Sequence, residues 1–178
     1  MRRKIEYGLK LLFATPSRRP HYIRFEISNA CNLSCPMCPR PSYQIGNEHM
    51  NSAIIYNVCE QLQGDKNEVV LTGWGEPLLH PDFFGIIATI RKFNSIWPIC
   101  FTTNGVLLNS TWAERLGTTA NLQVTVSLDS LDNNCDDRYA GHVRGTNVSK
   151  HVETLVEVFR RNSGNGQQVV VQCVIQHG

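Results

Sequence analysis

Apolar residues recur along this chain with two periods, and the two take turns. Residues 22–28 alternate and are rich in β-branched and aromatic side chains, which predicts a strand. Residues 51–63 then place Ile54, Ile55, Val58 and Leu62 on one side of a helix. Residues 68–72 read as a short apolar strand, and 81–93 as a helix with Phe84, Ile87 and Ile90 facing inward. A third strand over 97–102, a short helix over 110–116 and a fourth strand over 122–128 follow. The series closes with a helix over 147–161, patterned on Val148, Val152, Leu155, Val156 and Phe159, and a fifth strand over 168–175. Strands alternating with helices predict an α/β fold with a parallel sheet and right-handed crossovers. Such a sheet is expected to be covered on both faces. The last strand has no helix after it, so an open edge is expected, as in a barrel cut short.

The bulk composition changes this picture little. A length of 178 residues suits one domain with a buried core. The net charge of +2 gives no reason to expect nucleic acid, and no apolar run approaches the ~20 residues of a membrane helix. Residues 1–20 stand apart. Arg2, Arg3, Lys4, Lys10, Arg18 and Arg19 face a single Glu6, while Ile5, Leu9, Leu12 and Phe13 recur at helical spacing. This predicts a short basic amphipathic helix packed by its apolar stripe on the domain, rather than a signal peptide or a membrane-surface element. The expected organisation is therefore an N-terminal extension over 1–20 and a core domain over 21–178.

The seven cysteines are distributed unevenly, three within eight residues and four scattered. An odd count in this arrangement does not suit a secreted disulfide framework, and points to a reducing, cytoplasmic setting. Cys59, Cys100 and Cys173 fall in apolar patterns and read as buried structural thiols. Cys135 falls in a polar loop.

The crowded three, Cys31, Cys35 and Cys38, carry the chemistry. A thiol triplet suits zinc or an iron–sulfur cluster. Structural zinc takes four ligands, usually as two separated pairs; here only His49 offers itself as a fourth. The ferredoxin run adds a fourth cysteine that this segment lacks. Three thiolates on a cubane leave one iron open, the condition for a metal site that does chemistry. Pro36, Pro39 and Pro41 disfavour a helix, so the loop is free to wrap a compact object.

C-x-x-x-C-x-x-C directly after a first strand resembles the radical S-adenosylmethionine (SAM) superfamily, and the likeness continues along the chain. Thr72-Gly73-Trp74-Gly75-Glu76-Pro77 is similar to its Gly-Glu-Pro motif after strand two. Thr102-Thr103-Asn104-Gly105 and Ser127-Leu128-Asp129-Ser130 resemble the segments ending strands three and four. Each motif alone is an ordinary turn. Together they fall at the C-terminal ends of successive parallel strands, the edge where such folds build their sites. The nearest likeness is to members with a cysteine-rich SPASM or twitch domain, and five strands stand where a partial (β/α) barrel of this family has six.

The resemblance implies a 4Fe–4S cluster on Cys31, Cys35 and Cys38, with SAM chelating the open iron. It implies that Glu76 meets the SAM ammonium, that Gly73 and Gly75 let backbone approach the methionine part with Pro77 in the same SAM-binding motif, and that Asn104 and Ser127 hydrogen-bond its ribose or carboxylate. Arg144 resembles a family arginine near that carboxylate. Met37 takes a place commonly aromatic and near the adenine, and Trp74 interrupts the usual Gly-Gly pair; a core position is expected for so large an apolar side chain. The implied activity is reductive cleavage of SAM to a 5′-deoxyadenosyl radical that takes hydrogen from a peptide or small-molecule substrate. The implied partner is a low-potential electron donor of flavodoxin or ferredoxin type. Two rival readings stand beside this one: a zinc-binding interaction module using the triplet and His49, and a catalytically inactive fragment of such an enzyme.

Overall fold

The computed structural model describes residues 20–35, 37–63, 67–93, 98–128 and 147–173. The expected N-terminal helix, Cys135, Asp129, Ser130 and Arg144 lie outside the described residues. Five strands alternate with helices: β1 (Tyr22–Phe25), α1 (Ser52–Gln61), β2 (Glu68–Leu71), α2 (Phe83–Phe93), β3 (Ile99–Thr103), α3 (Ser110–Gly117), β4 (Leu122–Ser127), α4 (Val148–Arg161) and β5 (Gln168–Gln172). Asparagines start three of the helices. The side chains of Asn51, Asn109 and Asn147 accept from backbone N–H groups of the first turns of α1, α3 and α4, satisfying donors that a helix start leaves orphaned.

All five strands are parallel and lie in chain order, β1-β2-β3-β4-β5. A strand order that advances in one direction through right-handed crossovers puts every helix on the same side. The burial pattern agrees. Ile23, Phe25, Val69, Leu71, Ile99, Phe101, Leu122, Val124 and Val126 point into one core with Ile55, Cys59, Ile86, Ile90, Leu116 and Leu155 from the helices. The other face of the sheet carries different residues. Register sets Arg24, Val70, Cys100, Gln123 and Gln168 in one row across it, and Thr102, Thr125 and Val170 in the next.

The expected partial (β/α) barrel is thus what the sheet forms: the wall of a half-barrel with helices outside. Among the described residues no helix lies over its mixed polar and apolar concave face, which was expected to be covered like the other. The strands supply the reason. Arg24, Thr102, Gln123, Thr125 and Gln168 share the concave rows with Val70, Cys100 and Val170, and a second helix layer would leave those polar side chains without water or partners. Smaller corrections follow from packing. Phe83, rather than Phe84, is the buried aromatic of α2; Phe84 lies half-buried, stacked on Trp112 with Arg115 over its ring. Ile54 is 50% exposed, and Cys59 takes the inward position. Cys173 is exposed, not a core thiol. Trp74 is 44% exposed and edge-on to Tyr43, so it is not a core anchor. No described helix is long and apolar enough to cross a membrane.

Candidate functional site

The C-terminal edge of the sheet gathers three loops. The first leaves β1 and carries Cys31, Cys35 and Cys38, all three half-buried free thiols. The second leaves β2 and carries Gly73 to Pro77. The third is the tight turn after β3, where Gly105 adopts φ +77°, a conformation strained for any residue with a Cβ.

Glu76 ties these loops together. It is 2% exposed, and its carboxylate has three donors. Oε1 accepts from the Thr103 hydroxyl at 2.8 Å and from the Leu78 N–H at 3.1 Å; Oε2 accepts from the Asn104 N–H at 2.8 Å. The backbone N–H of Glu76 donates to the Ala30 carbonyl at 2.7 Å, one residue before Cys31. Pro77 opens a short 3-10 turn, Pro77–Leu79, that Glu76 caps. Burial pushes the Glu76 carboxyl above the usual carboxylate range, opposed by those three hydrogen bonds. Cys31 is raised as well, first by burial and then by the neighbouring Glu76 and Cys35; the Leu33 N–H and Arg40 act the other way.

The two glycines of Gly73-Trp74-Gly75 serve packing within the chain. A Cβ on Gly75 would collide with the backbone of Ser28, Asn29 and Ala30, and one on Gly73 with the Glu26 side chain. Glu26 in turn accepts from the Trp74 N–H at 2.5 Å. The Asn104 amide is held at both ends by protein partners: Oδ1 accepts from the Val106 N–H at 3.0 Å, and Nδ2 donates to Asn32 Oδ1 at 2.8 Å. Ser127 is exposed at the end of β4, beside Gln172, and Met37 is 38% exposed on the cysteine loop.

Sequence reasoning therefore located the loops but missed the residues that brace them. Arg40, two positions after Cys38, donates to the Asn29 carbonyl at 2.9 Å, the Gly46 carbonyl at 3.0 Å and Asn47 Oδ1 at 2.5 Å. Thr103, 1% exposed, holds both Glu76 and the Gly105 N–H. None of these follows a hydrophobic period; a hydrogen-bonding side chain immediately beside each motif was the available signal.

His49 does not join the thiols. Its ring packs edge-on against His80, 5.3 Å between centroids, and His80 is held by the Met50 carbonyl and the Asp82 N–H. Among the described residues, no group of three or more His, Cys, Asp or Glu side chains converges as a single metal ion would require. The donor set suits a larger object. Three thiols sit on one loop, at a site open to solvent, on a rim braced from two other strands. Two cavities lie elsewhere: about 430 Å³ between α4 and β5, and about 400 Å³ at the N-terminal end of the concave face.

Comparison with known proteins agrees with this geometry. The radical SAM superfamily profile matches residues 25–178. The GTP 3′,8-cyclase of Clostridium botulinum is 32% identical over 142 residues, 78% of this chain and 43% of that protein. That of Pasteurella multocida is 31% identical over 148 residues, 79% and 42%. The chain thus spans less than half the length of these relatives. Streptococcus suis SuiB bound to S-adenosylmethionine superposes with TM-score 0.68 at 18% identity, covering 99% of this chain and 39% of SuiB. anSMEcpe with bound AdoMet gives 0.63 at 22%, covering 86% and 43%. At these identities the structures show the shared fold. With the cysteine loop, the Glu76 junction and the half-barrel in place, the chain belongs to the radical SAM superfamily, whose cofactors are a 4Fe–4S cluster and SAM.

Proposed function

We propose that this chain is the core of an enzyme that cleaves SAM reductively and takes hydrogen from a substrate lying against the concave face. Cys31, Cys35 and Cys38 hold the cluster. When bound, the cluster and SAM supply the radical chemistry; the chain supplies position and shelter. Its loops hold the thiols at the strand ends, and the concave wall below orients the substrate. The observation that carries this reading is a loop of three half-buried thiols tied beside Cys31 to the buried Glu76 junction, through the Ala30 carbonyl and Asn32.

On the SAM side, Glu76 has three of its roughly four acceptor positions filled, which leaves one for an ammonium. Gly73, Gly75 and Pro77 shape the loop that presents it. Ser127 offers an exposed hydroxyl at the end of β4, and Met37 a thioether able to pack on a ring. Asn104 contributes its backbone position, and Arg144 completes the set as a cation for the SAM carboxylate.

The substrate read here is a peptide or a small polar metabolite. Among the described residues the concave face offers one cation, Arg24 on β1, with Thr102, Gln123, Thr125 and Gln168 further across the sheet among Val70, Cys100 and Val170. That lining favours neutral hydrogen-bonding groups over a polyphosphate. Identity with the GTP 3′,8-cyclases supports a second reading, in which the substrate is a purine nucleotide. Free thiols suit a reducing, cytoplasmic setting with a flavodoxin- or ferredoxin-type donor.

The test is anaerobic reconstitution with iron and sulfide, reduction with dithionite and chromatography for 5′-deoxyadenosine, with and without GTP. A brown protein that forms 5′-deoxyadenosine is expected. A protein that stays colourless, or holds a cluster without forming that product, overturns the reading. GTP-dependent stimulation favours the nucleotide substrate.

A further inference from the structure

We propose that Asn32 and Asn104 form a clasp that fixes the Cys31 end of the cysteine loop to β3, making Asn104 a positioning residue for the cluster site. The proposal rests on the reading of Cys31, Cys35 and Cys38 as cluster ligands.

The clasp spans 72 residues of sequence through one bond, Asn104 Nδ2 to Asn32 Oδ1 at 2.8 Å. Asn104 is held on its other sides. Its Oδ1 takes the Val106 N–H at 3.0 Å and its own N–H donates to Glu76 Oε2 at 2.8 Å. The amide therefore has its orientation set by the turn after β3 before it meets Asn32. On the opposite flank of Cys31, the Ala30 carbonyl accepts from the Glu76 N–H at 2.7 Å. Cys31 thus lies between two residues anchored to the same junction, one by backbone and one by side chain.

The far end of the loop is held differently. The Cys38 N–H donates to the Cys35 carbonyl at 3.0 Å, a bond internal to the loop, and Arg40 grips Asn29, Gly46 and Asn47. Loosening the clasp therefore frees Cys31 and leaves Cys38 in place. The two bonds fix the amide's orientation and leave one Nδ2 N–H and one Oδ1 lone pair, so the positioning role stands beside any contact to a ligand.

The test is thiol alkylation of the apo full chain with iodoacetamide, read peptide by peptide by mass spectrometry. The variants are Asn32→Ala, Asn104→Ala and the double substitution. Each single variant is expected to speed alkylation of Cys31 about fivefold, equivalent to about 1 kcal/mol for one side-chain hydrogen bond. The double variant is expected to react no faster than the faster single, because both remove the same bond. Cys38 is expected to change less than twofold, and buried Cys59 reports any general unfolding. Asn104→Asp is expected to restore the slow rate, since it still accepts from Val106 and Asn32 can turn its amide to donate. Unchanged Cys31 rates, additive effects in the double variant, or equal acceleration at Cys31 and Cys38 overturn the proposal. Should Asn104→Ala expose Cys59, Asn32→Ala decides alone. In the iron-loaded protein the same variants are expected to lose iron to a chelator faster, in the same order. A wild-type protein that binds no cluster would sink the functional reading and leave the alkylation result standing.

Discussion

Replacing Glu76 tests the junction beneath the site. In Glu76→Gln the side chain keeps its shape but offers one acceptor oxygen and an NH₂ group. With the oxygen toward Thr103 and Leu78, the NH₂ faces the Asn104 N–H, donor against donor. With the amide reversed, the orphan is the Leu78 N–H, since the Thr103 hydroxyl is able to turn and accept. Either way one buried N–H loses its partner, at a cost of about 1–3 kcal/mol. Three bonds to a charged acceptor would suggest a larger loss, but burial already pushes the Glu76 carboxyl upward, so a neutral side chain recovers part of the desolvation cost. We expect about 1–2 kcal/mol for Glu76→Gln and about 3–5 kcal/mol for Glu76→Ala, which orphans both N–H groups and leaves a void. Urea unfolding of the apo chain, followed by circular dichroism, gives both values. A Gln variant as stable as wild type, or Ala no worse than Gln, would show that the carboxylate does not hold the loops together.

Other expected outcomes concern packing and titration. Gly75→Ala should be severely destabilising, by about 3 kcal/mol or more in the same unfolding assay, because its Cβ meets backbone that cannot move aside. Cys35→Ala should abolish iron retention after reconstitution, whereas Cys59→Ala should keep the iron and lower stability by about 1–2 kcal/mol through a lost core contact; equal iron contents in the two would refute the sorting of ligand from core thiol. Burial raises Cys59 from 9.0 to about 11, so above pH 9 the unfolded chain ionises this thiol while the folded chain keeps it protonated. Stability should therefore fall as pH rises from 9 to 11, and Cys59→Ala should flatten that fall.

The order of elements was legible because the helices are amphipathic and the strands are bounded by turn residues. That the cysteine triplet and Glu76 lie on loops at the C-terminal ends of β1 and β2 was legible, the first from its spacing and the second from its motif following a strand. Coverage of the sheet was not, and the reason lies in residues such as Thr102, Gln123 and Thr125. These polar side chains alternate with core residues, yet their contrast was overlooked because the apolar neighbours suffice to mark a strand. Trp74 misled for another reason. Its size argues for burial, but the two glycines beside it pull the backbone tight against Glu26 and Ala30, which turns the indole outward onto Tyr43. Asn32 and Arg40 belong to no periodic pattern, and only the folded loops reveal their partners.

The chain-order sheet has a consequence for how the protein is made. Each strand pairs only with its neighbours in sequence, and a domain folds as a unit once synthesis has delivered its parts. The thiols of Cys31, Cys35 and Cys38 leave the ribosome long before Thr103 and Asn104, on which their loop is anchored. Until residue 104 has been made, the cysteines form an unframed, oxidisable tether. If these thiols hold the cluster as proposed, their frame for it is complete only once β3 has joined the sheet.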